Sequence, residues 1–325
     1  MGLLIVLALI LAAEFVNGWT DAPNAIATVV STRVLSPGFA VLMAAALNFV
    51  GAFYGTAVAA TIGKDIVDPG AINLATVGAA MFAIILWSTI AWWFGLPTSE
   101  SHALISGLTG AALATAGPGA LLWVGWQKVF VGLLFSTFLG FGLGWLIVIM
   151  ILWLVRRWHP GAVRRRFGRL QILSAAFMAF SHGSNDGQKF IGAFTLALML
   201  GGVLSEFVVS WWVILLCSVV MGVGTSVGGW RIIRTMGVRM VALQPYQGFA
   251  AETGAGAAIV LASSLGIPLS TTHTINTSIM GVGAARRLTA VRWGVVGSVV
   301  AAWVLTFPVC GFIAWVTAHI FQRIF

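Results

Sequence analysis

Asn17-Gly18-Trp19-Thr20-Asp21-Ala22-Pro23-Asn24 and Ser181-His182-Gly183-Ser184-Asn185-Asp186-Gly187-Gln188-Lys189 are the two stretches whose comparison decides the fold. Each sets a glycine, a polar residue and an aspartate at the opening of a helical piece inside otherwise apolar sequence, and they lie 165 residues apart. A second pair follows in the same order: Gly95-Leu96-Pro97-Thr98-Ser99-Glu100-Ser101-His102 and Gly266-Ile267-Pro268-Leu269-Ser270-Thr271-Thr272-His273, offset by 171. Matching motifs in matching order at nearly constant offset mark an internal repeat. The stretch between Gly228 and Gln244, which reads as a basic linker, absorbs the difference of six.

Outward from these motifs the chain is apolar: 60% of its 325 residues are hydrophobic and 8% charged, against roughly 25% charged in soluble domains. Val41 to Thr61, Leu74 to Leu96, Leu121 to Val155 and Val291 to Ile320 carry no charge or one. Runs of about 20 apolar residues span a bilayer. The formal charge of +9 could suggest nucleic acid, but the arginines sit in short loops between apolar runs. Arg156, Arg157, Arg164, Arg165, Arg166 and Arg169 form one group, Arg231, Arg234 and Arg239 a second, and Arg286, Arg287 and Arg292 a third. That is the pattern of cytoplasmic loops, not of a nucleic-acid surface. Cys217 and Cys310 lie in apolar runs and read as small hydrophobes. Met1 to Ala13 resembles a signal core but lacks a basic lead, and Glu14 follows directly, so it reads as a retained helix.

Turn residues divide the chain into about twelve helical pieces: 2–17, 20–35, 38–62, 72–95, 98–116 and 121–155, then 169–182, 186–203, 206–227, 243–265, 269–285 and 291–320. With the three arginine loops on one side, pieces one and two must act as one broken helix. Pieces four and five leave and return to the same side, as two crossings or as one re-entrant hairpin. Each half then crosses an odd number of times, so the halves are inverted and both termini lie outside. The expected fold is an all-α polytopic membrane protein of two inverted-topology repeats, residues 1–155 and 170–325, of about six helical segments each. Broken or re-entrant helices interrupt each repeat, and a basic cytoplasmic linker, 156–169, joins the two. Inverted repeats with discontinuous helices and a midplane site are a secondary-transporter design.

Of eight acidic residues, Asp65, Asp68 and Glu206 read as interfacial or capping. Glu14, Asp21, Glu100, Asp186 and Glu252 fall in or beside apolar segments, where an ionisable group needs a partner or a water-filled cavity and marks function. A lone Asp at a helix start is a good N-cap. Two at equivalent positions, flanked by Asn24 and Asn185, fit a cation site equally well, because carboxylate and amide oxygens ligate Na⁺ and a carboxylate alone carries H⁺. Ser99, Ser101, Ser270, Thr271 and Thr272 follow a Gly-x-Pro break and lead into a helix. A helix N-terminus offers free N–H groups and a positive dipole end to a phosphate-like ion; the alternative is hydroxyl capping. His102 and His273 match in position and read singly as interior, hydrogen-bonded histidines. Glu100 fits either a cation partner or a proton carrier. His182 lies near Asp186, with no nucleophile signature beside it, so an enzyme is not expected.

At these motifs the chain resembles the PiT family of inorganic phosphate transporters, nearly end to end. Asn17 to Asn24 and Ser181 to Lys189 are similar to its paired Asn/Asp signatures, and Pro268-Leu269-Ser270-Thr271-Thr272-His273 to its Pro-x-Ser-Thr-Thr-His signature. The resemblance implies cation-coupled phosphate uptake by a homodimer in the cytoplasmic membrane. It implies Asp21, Asn24, Asp186 and Asn185 at the coupling cation, with Na⁺ at Asp21 and Asn24 as the metal to consider, and Ser99, Ser101, Ser270, Thr271 and Thr272 around phosphate. Glu252 resembles a family glutamate needed for transport and joins them as a candidate for taking up the coupling cation. Four positions depart from the Na⁺-coupled pattern: Asn48 replaces a glutamate, Glu100 and Ser101 stand opposite Thr271 and Thr272, and Lys189 stands opposite Asn24. An ammonium beside Asp186 would replace a bound Na⁺, or else contact phosphate directly. Lysine here resembles the branch regarded as proton-coupled, which also carries metal–phosphate complexes. The expectation is H⁺ symport in preference to Na⁺ symport, by alternating access, with membrane lipid and phosphate as partners and no resident cofactor. A sulfate permease of the same superfamily and a passive anion channel are the alternatives.

Overall fold

The computed structural model describes residues 2–323. Among these residues the elements are all helices, and one isolated antiparallel bridge joins Val67 to Leu121. In chain order they are α1 (Gly2–Ser31), α2 (Pro37–Ala52), α3 (Ala57–Ala60), α4 (Leu74–Trp93), α5 (Glu100–Ala116), α6 (Trp123–Leu134), α7 (Gly140–Val155), α8 (Pro160–His182), α9 (Gln188–Leu200), α10 (Trp211–Val227), α11 (Trp230–Arg234), α12 (Pro245–Ser264), α13 (Thr271–Arg286) and α14 (Trp293–Phe321). Four spans are long and apolar enough to cross a membrane: α1, α4, the α6–α7 rod and α14. They become six if α2 with α3 and α10 with α11, bent by 68° and 59°, are each counted as one. Large apolar side chains face outward along these rods, Phe138, Trp153, Val304 and Phe312 among them, as helices solvated by lipid require.

Three expectations about local structure change. The break expected near residue 18 is absent: α1 runs unbroken for 30 residues through Pro23, about 45 Å at 1.5 Å per residue. Pro23 removes the N–H that Trp19 O would accept. Gly229, at the start of α11, packs against that same carbonyl and against the proline ring, so the neighbouring backbone covers the gap. In the second half the corresponding motif is a π-turn, Gly183–Gly187, joining α8 to α9. π-turns inside helices are often found at functional sites. Finally, the two basic stretches read as linkers are partly helical: Pro160 onward belongs to α8, and α11 with a following π-turn covers Trp230–Met240.

The apolar core is divided. α1 contributes Val6, Ile10 and Ala13 to one cluster and Ala25, Ile26 and Val29 to another. Likewise Met178 and Ala179 of α8 enter the second cluster, and Phe190 and Ala193 of α9 the first. The residues left between them are the two motifs, Glu14 to Asn24 and Ser181 to Lys189. α5 and α13 start at this level. Ser101 donates to Leu269 O at 2.8 Å, so the two N-termini meet. The far ends diverge: Thr115 of α5 accepts from Gln322, whereas Gly283 of α13 packs on Val241 and Val291.

Candidate anion and cation centre

Two helix N-termini facing each other bring two positive dipole ends and two sets of first-turn N–H groups to one place. Ser99 and Ser270 are the N-caps: each hydroxyl accepts from the backbone N–H of the histidine three residues on, His102 at 3.2 Å and His273 at 3.1 Å. Their side chains therefore have the capping role, and the hydroxyls turned to the centre are those of Ser101, Thr271 and Thr272.

These hydroxyls link the two aspartates. Thr271 Oγ1 donates to Asp186 Oδ2 at 2.9 Å. Thr272 Oγ1 donates to Asp21 at 3.3 and 3.4 Å, long bonds that leave the carboxylate with acceptor capacity. Asn24 Nδ2 reaches Thr272 Oγ1 at 2.9 Å and Thr271 Oγ1 at 3.4 Å. Lys189 Nζ pairs with Asp186 Oδ1 and donates to Ser101 Oγ and, at 3.1 Å, to Leu269 O. Asp21, Asn24, Asp186, Lys189, Ser101, Thr271 and Thr272 all have under 4% of their surface exposed. The centre is closed to water, and charges there act at low effective dielectric.

His182 is a member that the sequence reading left without a role. Its Nε2 is 3.1 Å from Asp186 Oδ2 and its Nδ1 is 3.1 Å from Asn48 Oδ1. Asp21, His182 and Asp186 each offer a ligand atom, all within 4.8 Å of one another. Its position four residues before Asp186 in a helical stretch was the available signal.

The remaining expected site residues lie elsewhere. Asn185 turns from the centre and donates to Ser263 Oγ at 3.0 Å and Ile267 O at 3.2 Å. Glu252, on α12, accepts from Thr28 Oγ1, Gln171 Nε2 and Ser174 Oγ, tying α12 to α1 and α8. Thr28 is seven residues beyond Asp21, about 10 Å along the helix. Glu100 accepts from Thr20 Oγ1 at 2.9 Å and Ser88 Oγ at 2.8 Å, joining α5 to α1 and α4. Both glutamates thus rest on hydroxyl and amide donors alone in these contacts. Thr20, Thr28, Ser88, Gln171 and Ser174 were not singled out from sequence, because each is an ordinary helix residue until a carboxylate from another helix meets it. His102 and His273 stack edge to face at 4.5 Å, against Phe307 and Trp303 respectively. They line an apolar groove of about 540 Å³ outside the polar centre.

The model of the phosphate transporter family matches residues 17–314. A protein of Rhizobium meliloti named "Probable low-affinity inorganic phosphate transporter" is 46% identical over 310 residues, covering 95% of this chain and 93% of that one. A Bacillus subtilis protein of the same name is 40% identical over 318 residues, covering 97% and 96%. Among solved structures, one titled "The sodium-dependent phosphate transporter" superimposes with a TM-score of 0.87 at 23% identity, over the whole of both chains, and so shares the fold. The duplicated motifs, the paired helix N-termini and the match from residue 17 to residue 314 agree: this chain belongs to the phosphate transporter family.

Proposed function

We propose that this protein imports inorganic phosphate by cation symport, with H⁺ as the coupling ion in preference to Na⁺, through alternating access of two inverted repeats. One observation carries the reading: two opposed helix N-termini meet beside two buried aspartates, only one of which is paired with a lysine. The dipole ends and hydroxyls suit a tetrahedral oxyanion. Asp21, held by two long bonds, has acceptor capacity left for a hydrogen-bond donor. HPO₄²⁻ carries an O–H and SO₄²⁻ does not, which favours phosphate over sulfate. Lys189 supplies at Asp186 the charge that a bound Na⁺ would supply, leaving Asp21 to load the coupling ion. In this scheme Asn24 orients the Thr271 and Thr272 hydroxyls, and Glu252 locks α1 against α8 and α12. The protein works as a carrier, not an enzyme. Its basic loops face the cytoplasm, its termini lie outside the cytoplasmic membrane, and it assembles as a homodimer; free phosphate and metal–phosphate complexes are both candidate cargo.

Uptake of labelled phosphate into proteoliposomes tests this, with pH and Na⁺ gradients imposed separately and sulfate in excess. The expected result is concentrative uptake under the pH gradient, resistant to sulfate and lost in Asp21→Asn. Drive by Na⁺ alone overturns the choice of ion. Strong sulfate competition moves the substrate to sulfate, and flux indifferent to both gradients makes the protein an anion channel.

A further inference from the structure

Glu14 is fully buried on α1, and neither carboxylate oxygen has a hydrogen-bond partner. Asn17, one turn on, is also fully buried, and neither its Oδ1 nor its Nδ2 has one. Asn17 stands beside the Glu14 carboxyl, and Asp186, Lys189 and Glu100 are the charged groups within electrostatic reach; Cys217 of α10 faces it too. α4, also packed on α1, carries no titratable residue. Even with the Asn17 amide turned toward the Glu14 carboxyl, a buried carboxylate and amide oxygen that no hydroxyl, backbone or cationic donor reaches are rare in a folded protein and require an explanation such as a bound ion. A bare carboxylate in such a place is costly, whereas one holding a cation is not.

The placement adds a second reason. Glu14, Asn17, Asp21, Asn24 and Thr28 are spaced by three and four residues, so they occupy one face of α1. All five are buried, and the file they make is about 21 Å long. Its Thr28 end meets Glu252, its middle is the phosphate centre, and its N-terminal end is the Glu14–Asn17 pair. An interior file of this kind on a helix that is otherwise apolar has no role in packing against lipid.

We infer that Glu14 and Asn17 form a further monovalent-cation site, one to two turns before Asp21, which takes up a coupling ion separately from the Asp21–Asp186 centre. Two carboxylate oxygens and one amide oxygen are the available ligands for Na⁺, and Glu14 alone suffices for H⁺. The inference rests on the symport reading.

At static head each coupled cation multiplies phosphate accumulation by the size of its own gradient, because the free energies add. A tenfold gradient therefore gives about tenfold accumulation per electroneutrally coupled ion. With the membrane potential clamped at zero, the test compares wild type with Glu14→Gln, an isosteric change, under tenfold pH and tenfold Na⁺ gradients. Phosphate–phosphate exchange without a gradient is measured alongside. The site predicts exchange retained within about twofold and accumulation lowered about tenfold. A fall under the pH gradient identifies the ion as H⁺, and a fall under the Na⁺ gradient identifies it as Na⁺. Unchanged accumulation under the gradient that drives wild type overturns the site and leaves symport standing. No accumulation by wild type under either gradient overturns symport and the site with it. If Glu14→Gln abolishes exchange, Glu14→Asp decides: recovered exchange with full coupling supports the site, and equal loss assigns Glu14 a structural role only.

Discussion

Lys189 is the residue on which the charge balance of the centre turns. It stands where the first half has Asn24, but the partners differ: the Asn24 amide reaches the hydroxyls of Thr271 and Thr272, whereas the Lys189 ammonium pairs with Asp186 and donates to Ser101 and Leu269 O. Removing one partner of a buried ion pair leaves the other without compensation and costs about 3–5 kcal/mol, whereas replacing both costs far less. Lys189→Met should therefore lower the melting temperature of the purified protein in detergent markedly, Asp186→Asn less, and the double variant should recover most of the loss. Equal melting of Lys189→Met and wild type would contradict the pairing. In transport, Lys189→Asn recreates at this position the amide of the first half; it should cut pH-driven phosphate uptake by more than tenfold and make the residual uptake respond to Na⁺. Much of the centre was legible in the sequence because its members occur as duplicated motifs: Asp21, Asn24, Asp186, Lys189 and the Ser/Thr pairs were all found that way. Ser99 and Ser270 look the same as their neighbours in sequence. Which hydroxyl caps and which faces a ligand depends on one backbone turn, and the pattern of letters does not encode that.

At the scale of elements, the two halves repeat their close contacts. A Cβ at Gly110 of α5 would collide with Gly311 O of α14, and one at Gly281 of α13 with Phe141 O of α7. The glycines are 171 residues apart, the same offset as the motifs, so the helix pair α5–α14 is packed as α13–α7 is. Small residues at such crossings let backbones approach where no solvent drives association. Overpacking costs about 1–3 kcal/mol, so Gly110→Ala and Gly281→Ala should each melt earlier by a comparable amount. Gly119→Ala, where nothing lies within 4 Å, should melt like wild type. If only one of the first two variants is destabilised, the packing equivalence fails. The helices themselves were readable from apolar runs and turn residues. The unbroken α1 and the helical Trp230–Met240 were not, since both depend on partners far away in the chain: the aspartate and asparagines of α1 lie in a polar interior, and α11 is held against Trp19 and Pro23 through Gly229.

For the whole molecule, orientation in the membrane turns on where the arginines gather. The basic segments gather at one end: Arg292 Nη1 donates to Arg239 O, and Phe167, beside the arginines of α8, stacks on Tyr246 and Phe249. Gly2, Asn73, Thr115, Leu200 and Gln322 line one depression at the other, so the starts of α1 and α4 and the ends of α5, α9 and α14 share a face. Short loops rich in Arg stay cytoplasmic, and the proposed orientation, with both termini outside, rests on that rule. The two native cysteines, Cys217 and Cys310, are fully buried and give little background for a thiol reagent. A single cysteine at Val203, 59% exposed near the end of α9, should react with a membrane-impermeant maleimide in intact cells. One at Arg165, exposed in the first turns of α8, should react only after permeabilisation. The opposite pattern would reverse the proposed orientation and with it the direction from which the proposed Glu14 site loads, because Glu14 lies on the terminal side of the polar centre and Glu252 on the basic side. Labelling of both in intact cells would mean that the arginine loops do not set topology here, and the inverted arrangement of the repeats would lose its main support.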